Sequence, residues 1–271
     1  MGSGPKKWEG KKMEIISDQL AVPAETPVRA VLFDAGGTLI EPLEPIGETY
    51  ARLAAEFGIE SDPSQLQDKF QRFFQLQPPL AFSPDLPFDE TVRLETDWWR
   101  KLVSNVFAYE GQAQRFDHFF AKLYLHFSEA KSWRVIDGVE QALHTLTKRG
   151  FKLGIVSNFD TRLYSLLAGC GLIDYFDIIH LSSMLGTAKP DPEIFLASSQ
   201  ALSLQPAAVV HVGDSWREDI EGAIGAGMRA VLLDRQGHFA DNPALADART
   251  RWIDRFLQLP EIDFLQSQPI D

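Results

Sequence analysis

Polar residues follow several apolar runs in this chain of 271 residues. The first is Asp34, which ends the apolar run 28–33 and precedes a turn that contains Gly36 and Gly37. Open α/β sheets carry their chemistry where parallel strands end, so a carboxylate in this position is a candidate reactive or metal-binding group. Three further groups follow along the chain: Ser157 with Asn158 at the end of the second predicted strand, Lys189 in the loop after the third, and Asp214 at the end of the fourth, with Asp219 shortly after it.

Together, these residue types suit phosphoryl transfer, in which an anionic nucleophile must approach an anionic phosphate. Asp34 is the predicted nucleophile and would form an aspartyl-phosphate, with Lys189 supplying positive charge beside it. Mg²⁺ prefers oxygen ligands and accepts phosphate oxygens, so it is the expected cofactor. Its predicted ligands are Asp34, the backbone carbonyl of Gly36, Asp214 and Asp219, the last either as a ligand or as a partner of one.

The same loops supply predicted hydrogen-bond donors for the phosphate. Ser157 would donate to a phosphate oxygen, and the backbone N–H groups near Gly37 and Asn158 would assist it. Thr38 would orient the loop that carries the nucleophile. Donors placed where charge develops typically make the largest contribution to catalysis, so we count these residues as part of the site.

The elements that must position these residues are predicted as alternating strands and helices, which is typical of a parallel sheet with right-handed crossovers. The fold class is therefore α/β, with a Rossmann-like core. His211, inside one apolar strand, is expected to be buried packing rather than a ligand. The predicted strands cover 29–34, 152–156, 177–181, 208–213 and 228–233, and the predicted helices cover 138–149, 161–168, 191–201 and 219–226.

Between the first and second motifs lies a long stretch without a strand pattern. Apolar residues recur there with the helical period, which predicts four amphipathic helices over 47–57, 64–76, 91–108 and 113–127. Their aromatic stripes are expected to be core packing rather than the lining of a ligand pocket. We therefore predict a helical cap domain (46–131) inserted into a core domain (28–45 and 132–271), after a disordered tail or expression tag (1–27).

Composition limits the classes of partner. The net charge of −12 argues against non-specific binding to nucleic acid or to a membrane, but is compatible with a small anionic substrate. No apolar stretch approaches the ~20 residues of a membrane-spanning helix. The single cysteine, Cys170, excludes an internal disulfide framework and favours a reducing compartment, so a cytoplasmic location is expected. The sequence does not indicate an oligomeric state.

The ordered motifs and the helical insertion resemble the haloacid dehalogenase (HAD) superfamily of hydrolases. Residues 34–38 are similar to its nucleophile motif, whose usual form is Asp-x-Asp-x-Thr/Val. A closer likeness to one branch of the superfamily extends over nearly the whole chain after the tail, through segments 45–51, 97–99, 133–138, 157–160 and 189–195. The resemblance implies a phosphoric monoester hydrolase that acts on a small phosphorylated metabolite.

Gly36 departs from that pattern, because typical phosphatases of the superfamily carry a second Asp there. That Asp protonates the leaving alcohol and then activates the hydrolytic water. Glycine can offer its carbonyl to Mg²⁺ but cannot transfer a proton. General acid/base catalysis contributes roughly 10²–10⁴-fold, so activity on alkyl phosphates should be low. Glu41 and Glu44 could reach back to replace the acid, but solvated turn carboxylates are the favoured interpretation.

Two other functions stay open. A 2-haloacid dehalogenase also has an Asp nucleophile and no second Asp, and it needs no metal. Asp214 and Asp219, however, are typical of a metal site. A catalytically weak binding or regulatory protein would explain Gly36, although the retention of the remaining motifs argues against complete loss of activity.

Overall fold

A parallel sheet of six strands lies at the centre of the structure, as the α/β pattern predicts. The computed structural model describes residues 26–108, 113–239, 245 and 247–266, so nearly all of the predicted tail lies outside the described residues. The strands in these ranges are β1 (Ala30–Phe33), β2 (Ile40–Pro42), β3 (Trp133–Val135), β4 (Lys152–Ser157), β5 (Ile178–Leu181), β6 (Val209–Gly213), β7 (Arg229–Leu233) and β8 (Thr250–Ile253).

The strand order is β5-β4-β1-β6-β7-β8, with every neighbouring pair parallel. All four side chains of the central strand β1 are buried. Successive side chains of a strand point to opposite faces. Val31 and Phe33 accordingly pack into one hydrophobic cluster, and Ala30 and Leu32 into another. Burial on both faces explains why this strand is continuously apolar in the sequence.

The predicted helices are present, with ends displaced by a few residues. The segment predicted as one helix over 219–226 begins earlier, as a wide π-helical turn over Trp216–Glu221 that continues into a short α-helix. The α-helices of the described ranges are α1 (Ile46–Ala55), α2 (Pro63–Leu76), α3 (Phe88–Phe107), α4 (Ala113–Ser128), α5 (Val139–Lys148), α6 (Arg162–Gly169), α7 (Ser182–Leu185), α8 (Pro192–Ala201) and α9 (Gly222–Gly225).

Helices α1–α4, which we call the cap helices, pack around their own hydrophobic cluster. Each helix contributes to it, for example through Tyr50, Leu66, Leu102 and Phe119. The apolar stripes read from the sequence therefore form the interior of this unit, as the helical period predicts. The division of the chain into a cap (46–131) and a core (28–45 and 132–271) remains our proposal.

Three strands in the described ranges were not predicted from the sequence. Strands β2 and β3 form an antiparallel pair, with Ile40 opposite Val135, through which the chain leaves the sheet for the cap helices and returns. Three residues per strand are too few to show an alternating pattern. The edge strand β8 also carries partly exposed side chains, Arg251 and Trp252, so that it lacks an apolar run.

Hydrogen bonds join the cap helices and the loop after α2 to the core at the carboxyl ends of β4 and β5. Trp99 of α3 donates from Nε1 to Asp160 Oδ2 at 2.5 Å. Ser182, which follows β5, donates to the backbone oxygen of Leu80 at 2.6 Å. The cap helices therefore lie over the edge of the sheet where the predicted site residues are found. Within the described ranges, no helix is both long and apolar enough to cross a membrane.

Candidate active site

The predicted site residues meet at the carboxyl ends of three neighbouring strands. Asp34 follows β1, Ser157 ends β4, and Asp214 follows β6. These strands lie in the order β4-β1-β6, because the chain crosses back over β1 after β5. Such a reversal of strand order opens a crevice at the carboxyl ends, which is where open α/β sheets bind their ligands.

Lys189 lies between two carboxylates. Its Nζ atom is 2.6 Å from Asp34 Oδ1 and 2.5 Å from Asp219 Oδ1, and its side chain is only 1% exposed. Burial alone lowers the pKa of Lys189, but the negative charges of Asp219 and Asp34 outweigh burial and hold that pKa above its usual value. Lys189 is therefore a fixed positive charge beside the predicted nucleophile.

The side chain of Asn158 holds the loop that carries Lys189. Its Nδ2 atom donates to the backbone oxygen of Lys189 at 2.9 Å, and its Oδ1 atom accepts from the backbone N–H of Lys189 at 2.8 Å. The next peptide bond, Lys189–Pro190, is cis. Asn158 thus fixes the backbone of Lys189 through two hydrogen bonds, an interaction that the sequence does not reveal.

Asp34 is buried, and one of its two carboxylate oxygens is fixed by contacts with neighbouring side chains. Ser157 donates from Oγ to Asp34 Oδ1 at 2.9 Å, and Lys189 contacts the same oxygen. Asp34 Oδ2 accepts no hydrogen bond from the part of the chain that the structure describes. One carboxylate oxygen is thus fixed and the other is available to a substrate or a metal. The contact of Ser157 with a phosphate oxygen stays a prediction.

His211 belongs to the site, although its apolar strand pointed only to packing. It is buried, as expected, but its Nε2 atom lies 2.8 Å from Asp219 Oδ1. Burial lowers the pKa of His211, so that the neutral ring donates from Nε2. His211 lies two residues before Gly213, the end of β6, and so shares a face of the strand with it. This spacing places His211 on the same face as the strand end, but it does not distinguish a positioning residue from a packing one.

Asp219 receives hydrogen bonds from three groups. Besides Lys189 and His211, the backbone N–H of Ser215 donates to Asp219 Oδ2 at 3.0 Å. Burial raises the pKa of Asp219, but the charge of Lys189 and the hydrogen bond from His211 lower it by more than burial raises it. The net result is a pKa below the usual range of a carboxyl group. Asp219 is therefore ionised and positions Lys189, and its role as a metal ligand or as a partner of one stays a prediction.

Three carboxylates are close enough to hold a metal ion. One oxygen from each of Asp34, Asp214 and Asp219 lies within 4.8 Å of the others. Asp214 is the exposed member of the three, and partial loss of surrounding water together with the charges of Asp34 and Asp219 raises its pKa. Thr38 donates to Asp214 Oδ1 at 3.3 Å, so it orients this carboxylate. An all-oxygen donor set with excess negative charge fits a hard cation such as Mg²⁺.

The two glycines after Asp34 differ in the space around them. At Gly37, φ is +87° and an added Cβ would lie 2.5 Å from Asp214 Oδ2, so the position requires glycine. At Gly36, an added Cβ would meet only the ring of Phe159 among the described residues, at 3.7 and 3.8 Å, which is an ordinary contact. The absence of a carboxylate at position 36 is therefore not imposed by lack of space.

Glu41 and Glu44, the possible substitutes for the missing acid, are both engaged elsewhere. Glu41 accepts from Arg134 at 2.9 Å and from Arg235 at 2.7 Å, and these hydrogen bonds outweigh burial to lower its pKa. Glu44 accepts from Arg52 at 2.8 Å, which also lowers its pKa. Neither carboxyl group is set up to donate a proton near neutral pH, so both are salt-bridge partners.

The fold and the site define the chain as a hydrolase of the HAD type, and it belongs to the haloacid dehalogenase-like hydrolase family, whose model matches residues 28–227. The chain is 33% identical over 246 residues to the haloacid dehalogenase-like hydrolase domain-containing protein 3 of Bos taurus, a match that covers 88% of this chain and 95% of the relative. This is the branch to which the sequence motifs are similar, and the closer likeness is thereby confirmed.

Solved structures of two named activities share the fold. A HAD phosphatase from Thermococcus onnurineus is 26% identical, with a TM-score of 0.61 over 87% of this chain and 97% of the other. A 2-haloacid dehalogenase from Pseudomonas syringae pv. Tomato DC3000 is 25% identical, with a TM-score of 0.60 over 86% and 97%. Since both activities occur on this fold, the choice between them depends on the site.

Proposed function

We propose that this protein is a Mg²⁺-dependent phosphatase that hydrolyses a small phosphate monoester through an aspartyl-phosphate. The observation that carries the proposal is the position of Lys189, whose ammonium group contacts Asp34 and Asp219 beside the acidic cluster. A carboxylate nucleophile, a fixed cation and oxygen ligands for a metal are the groups that phosphoryl transfer needs.

In the first step, a carboxylate oxygen of Asp34 attacks phosphorus, and the leaving oxygen departs with the electron pair of its bond to phosphorus. Lys189 and Ser157 hold Asp34 in place for this attack, and the N–H groups near Gly37 and Asn158 serve as donors to the phosphate. Mg²⁺, when bound, neutralises charge on the phosphate oxygens. The residues proposed to hold it are Asp34, Asp214, Asp219 and the carbonyl of Gly36.

In the second step, a water molecule attacks phosphorus, and the bond between phosphorus and Asp34 breaks. The proton of the water passes to solvent or to the departing phosphate. Gly36 offers no acid in the first step and no base in the second. The proposed activity is therefore low, and lowest for alkyl phosphates, whose leaving oxygen requires protonation.

The acidic cluster argues against dehalogenation. Displacement of halide by Asp34 needs no metal, and the close approach of Asp34, Asp214 and Asp219 would then only add repulsion around the nucleophile. Release of halide from chloropropionate is the direct assay for this activity. Halide release without any release of phosphate from phosphate esters would replace the phosphatase proposal with this one.

Acetyl phosphate is the appropriate test substrate, because its leaving group departs without protonation. We expect phosphate release that requires Mg²⁺, stops with a chelator, and is lost in Asp34→Asn, which keeps the shape of the side chain. A well-folded wild-type protein that releases no phosphate with Mg²⁺, or full activity in Asp34→Asn, would overturn the proposal.

Gly36 favours a second candidate, a binding or regulatory protein that recognises phosphate without efficient turnover. Beryllofluoride mimics a phosphoryl group on an aspartate and provides the comparison. Binding of beryllofluoride in the presence of Mg²⁺, without turnover of acetyl phosphate, would favour this second function over the first.

A further inference from the structure

An apolar cavity lies between the cap helices and the core. Ile46 and Tyr50 of α1 line it from one side, and Trp133 of β3 and Phe159 of the loop after β4 line it from the core. Phe159 is also the residue that a side chain at Gly36 would touch. Phe159 therefore forms part of the cavity wall and also borders the position of the missing acid.

The indole groups of this cavity have no free donors. Trp99 donates from Nε1 to Asp160 Oδ2 at 2.5 Å, and Trp133 donates from Nε1 to the backbone oxygen of Phe127 at 3.1 Å. Both rings consequently present only their apolar surfaces. A sugar or another polyol would leave its hydroxyl groups without partners against these walls, which is costly in a buried site.

Arg162 is the one charged side chain among the described residues that line the cavity, and its charge is already balanced. Its Nη2 and Nε atoms donate to the two oxygens of the fully buried Asp160, at 2.6 and 2.8 Å. Its guanidinium lies 4.2 Å from the centre of the Tyr124 ring and 4.9 Å from that of Trp99. The pair offers no net positive charge to a second anionic group on the substrate.

Tyr50 and Tyr124 bring hydroxyl groups to this apolar lining, and the Tyr124 hydroxyl is already paired with Thr96. Tyr50 is only 2% exposed, and its hydroxyl has no hydrogen-bond partner among the described residues. Burial raises the pKa of the Tyr50 phenol, so that it keeps its proton and can donate. A ligand with one polar atom on an otherwise apolar body would match this arrangement.

On this basis, and resting on the phosphatase proposed above, we infer that the cavity receives the leaving group and that the substrate class is a phosphate ester of an aromatic alcohol. The bond between phosphorus and the phenolic oxygen breaks as Asp34 attacks. The oxygen keeps the electron pair, and the aromatic ring delocalises its charge. The phenolate then takes a proton from water after it leaves. An aromatic leaving group thus fits the apolar walls and also departs without the acid that Gly36 lacks.

The test compares phenyl phosphate with acetyl phosphate, which also leaves without protonation but has no ring. We expect the wild-type protein to prefer phenyl phosphate in kcat/KM. Ile46→Trp fills the cavity from the partly exposed end of α1, and it should lower the phenyl-to-acetyl ratio of kcat/KM by roughly tenfold, about 1.4 kcal/mol. Leu125→Trp, on the exposed face of α4, is the matched control and should leave the ratio unchanged.

Binding of phenol gives a readout that does not depend on turnover. Phenol should quench the fluorescence of Trp99 and Trp133, with weaker binding in Tyr50→Phe and Ile46→Trp. Turnover of acetyl phosphate without preference for phenyl phosphate would overturn the inference and leave the phosphatase proposal intact. Phenol binding without turnover of either ester would overturn the phosphatase and retain the aromatic specificity of the cavity. No phenol binding to the folded wild type would overturn that specificity.

Discussion

His211 and Asp219 form a buried hydrogen bond, with Nε2 of the ring 2.8 Å from Oδ1 of the carboxylate. The same oxygen contacts Lys189, which in turn contacts Asp34. A neutral ring inside the strand therefore steadies the carboxylate that positions the cation beside the proposed nucleophile. The chain of contacts runs from the buried strand β6 to the proposed reacting oxygen.

His211→Phe should expose the contribution of this bond. Phenylalanine suits the apolar surroundings, where His211 already packs edge-on against Phe195 with ring centres 5.0 Å apart. Asp219 would lose one donor, so we expect a loss of about 1–3 kcal/mol in the free energy of unfolding. Urea denaturation measures it, with His211→Gln, which retains a donor, as the comparison. Equal stability of His211→Phe and wild type would show that the bond contributes nothing net.

Lys189→Met should be more severe, because it leaves Asp34 and Asp219 buried without their cation. Removing one partner from a buried charged cluster typically costs about 3–5 kcal/mol, and the phosphatase activity should be lost as well. The double variant Lys189→Met/Asp219→Asn removes one of the unpaired charges, so it should recover part of the stability. Additive destabilisation in the double variant, measured by denaturation, would contradict the coupling of the two residues.

Mg²⁺ should stabilise the folded protein through the acidic cluster. Binding to the native state alone adds about 2.7 kcal/mol to the free energy of unfolding when the free ion is at 100 times its Kd. We expect thermal unfolding to shift upward with Mg²⁺ in the wild type and not in Asp214→Asn. Glu48→Gln changes an exposed carboxylate of α1 and should behave like the wild type. The same shift in Asp214→Asn would place the metal elsewhere.

The site residues at the strand ends could be predicted from the sequence. The run before Asp34 is apolar on both faces, which indicates a buried strand, and open α/β sheets carry their chemistry where such strands end. The contacts that complete the site could not be predicted in this way. Trp99 and Asp160 are 61 residues apart in the chain, and their hydrogen bond depends on how the cap helices lie on the core. The hydrogen bond between His211 and Asp219 joins residues close in the chain, but the sequence does not indicate it. A buried polar residue in an apolar strand gives the same pattern whether it only packs or also positions a neighbouring side chain.

Accumulation of the aspartyl-phosphate should be visible in the first turnover. Gly36 leaves the second step without a base, whereas nitrophenyl phosphate passes the first step without an acid. We therefore expect rapid release of one equivalent of nitrophenol per active site, followed by slow steady turnover, in quench-flow measurements with Mg²⁺. Asp34→Asn should show no burst. A steady rate from the first turnover in the wild type would mean that the second step is not limiting.

Gly36→Asp should raise the phosphatase activity, most for poor leaving groups. In the part of the chain that the structure describes, a Cβ at position 36 would meet only the Phe159 ring, at an ordinary contact distance, so the backbone there accepts a side chain. The new carboxyl group would supply the missing acid and base, worth roughly 10²–10⁴-fold in the steps it serves. The gain in kcat/KM should therefore be larger for glycerol phosphate than for nitrophenyl phosphate. Gly36→Asn has a similar shape without a proton to transfer, and it should show no such gain.

An unchanged rate in Gly36→Asp, in a variant that folds and binds Mg²⁺, would mean that another residue already transfers the proton. Glu218 is the first to examine in that case. It lies 3.4 Å from Asn158 Nδ2, and burial raises the pKa of its carboxyl group, so that it holds a proton more readily than Glu41 or Glu44. Loss of the wild-type activity in Glu218→Gln, together with an unchanged Gly36→Asp, would assign the acid to Glu218 and refute the view that the site lacks one.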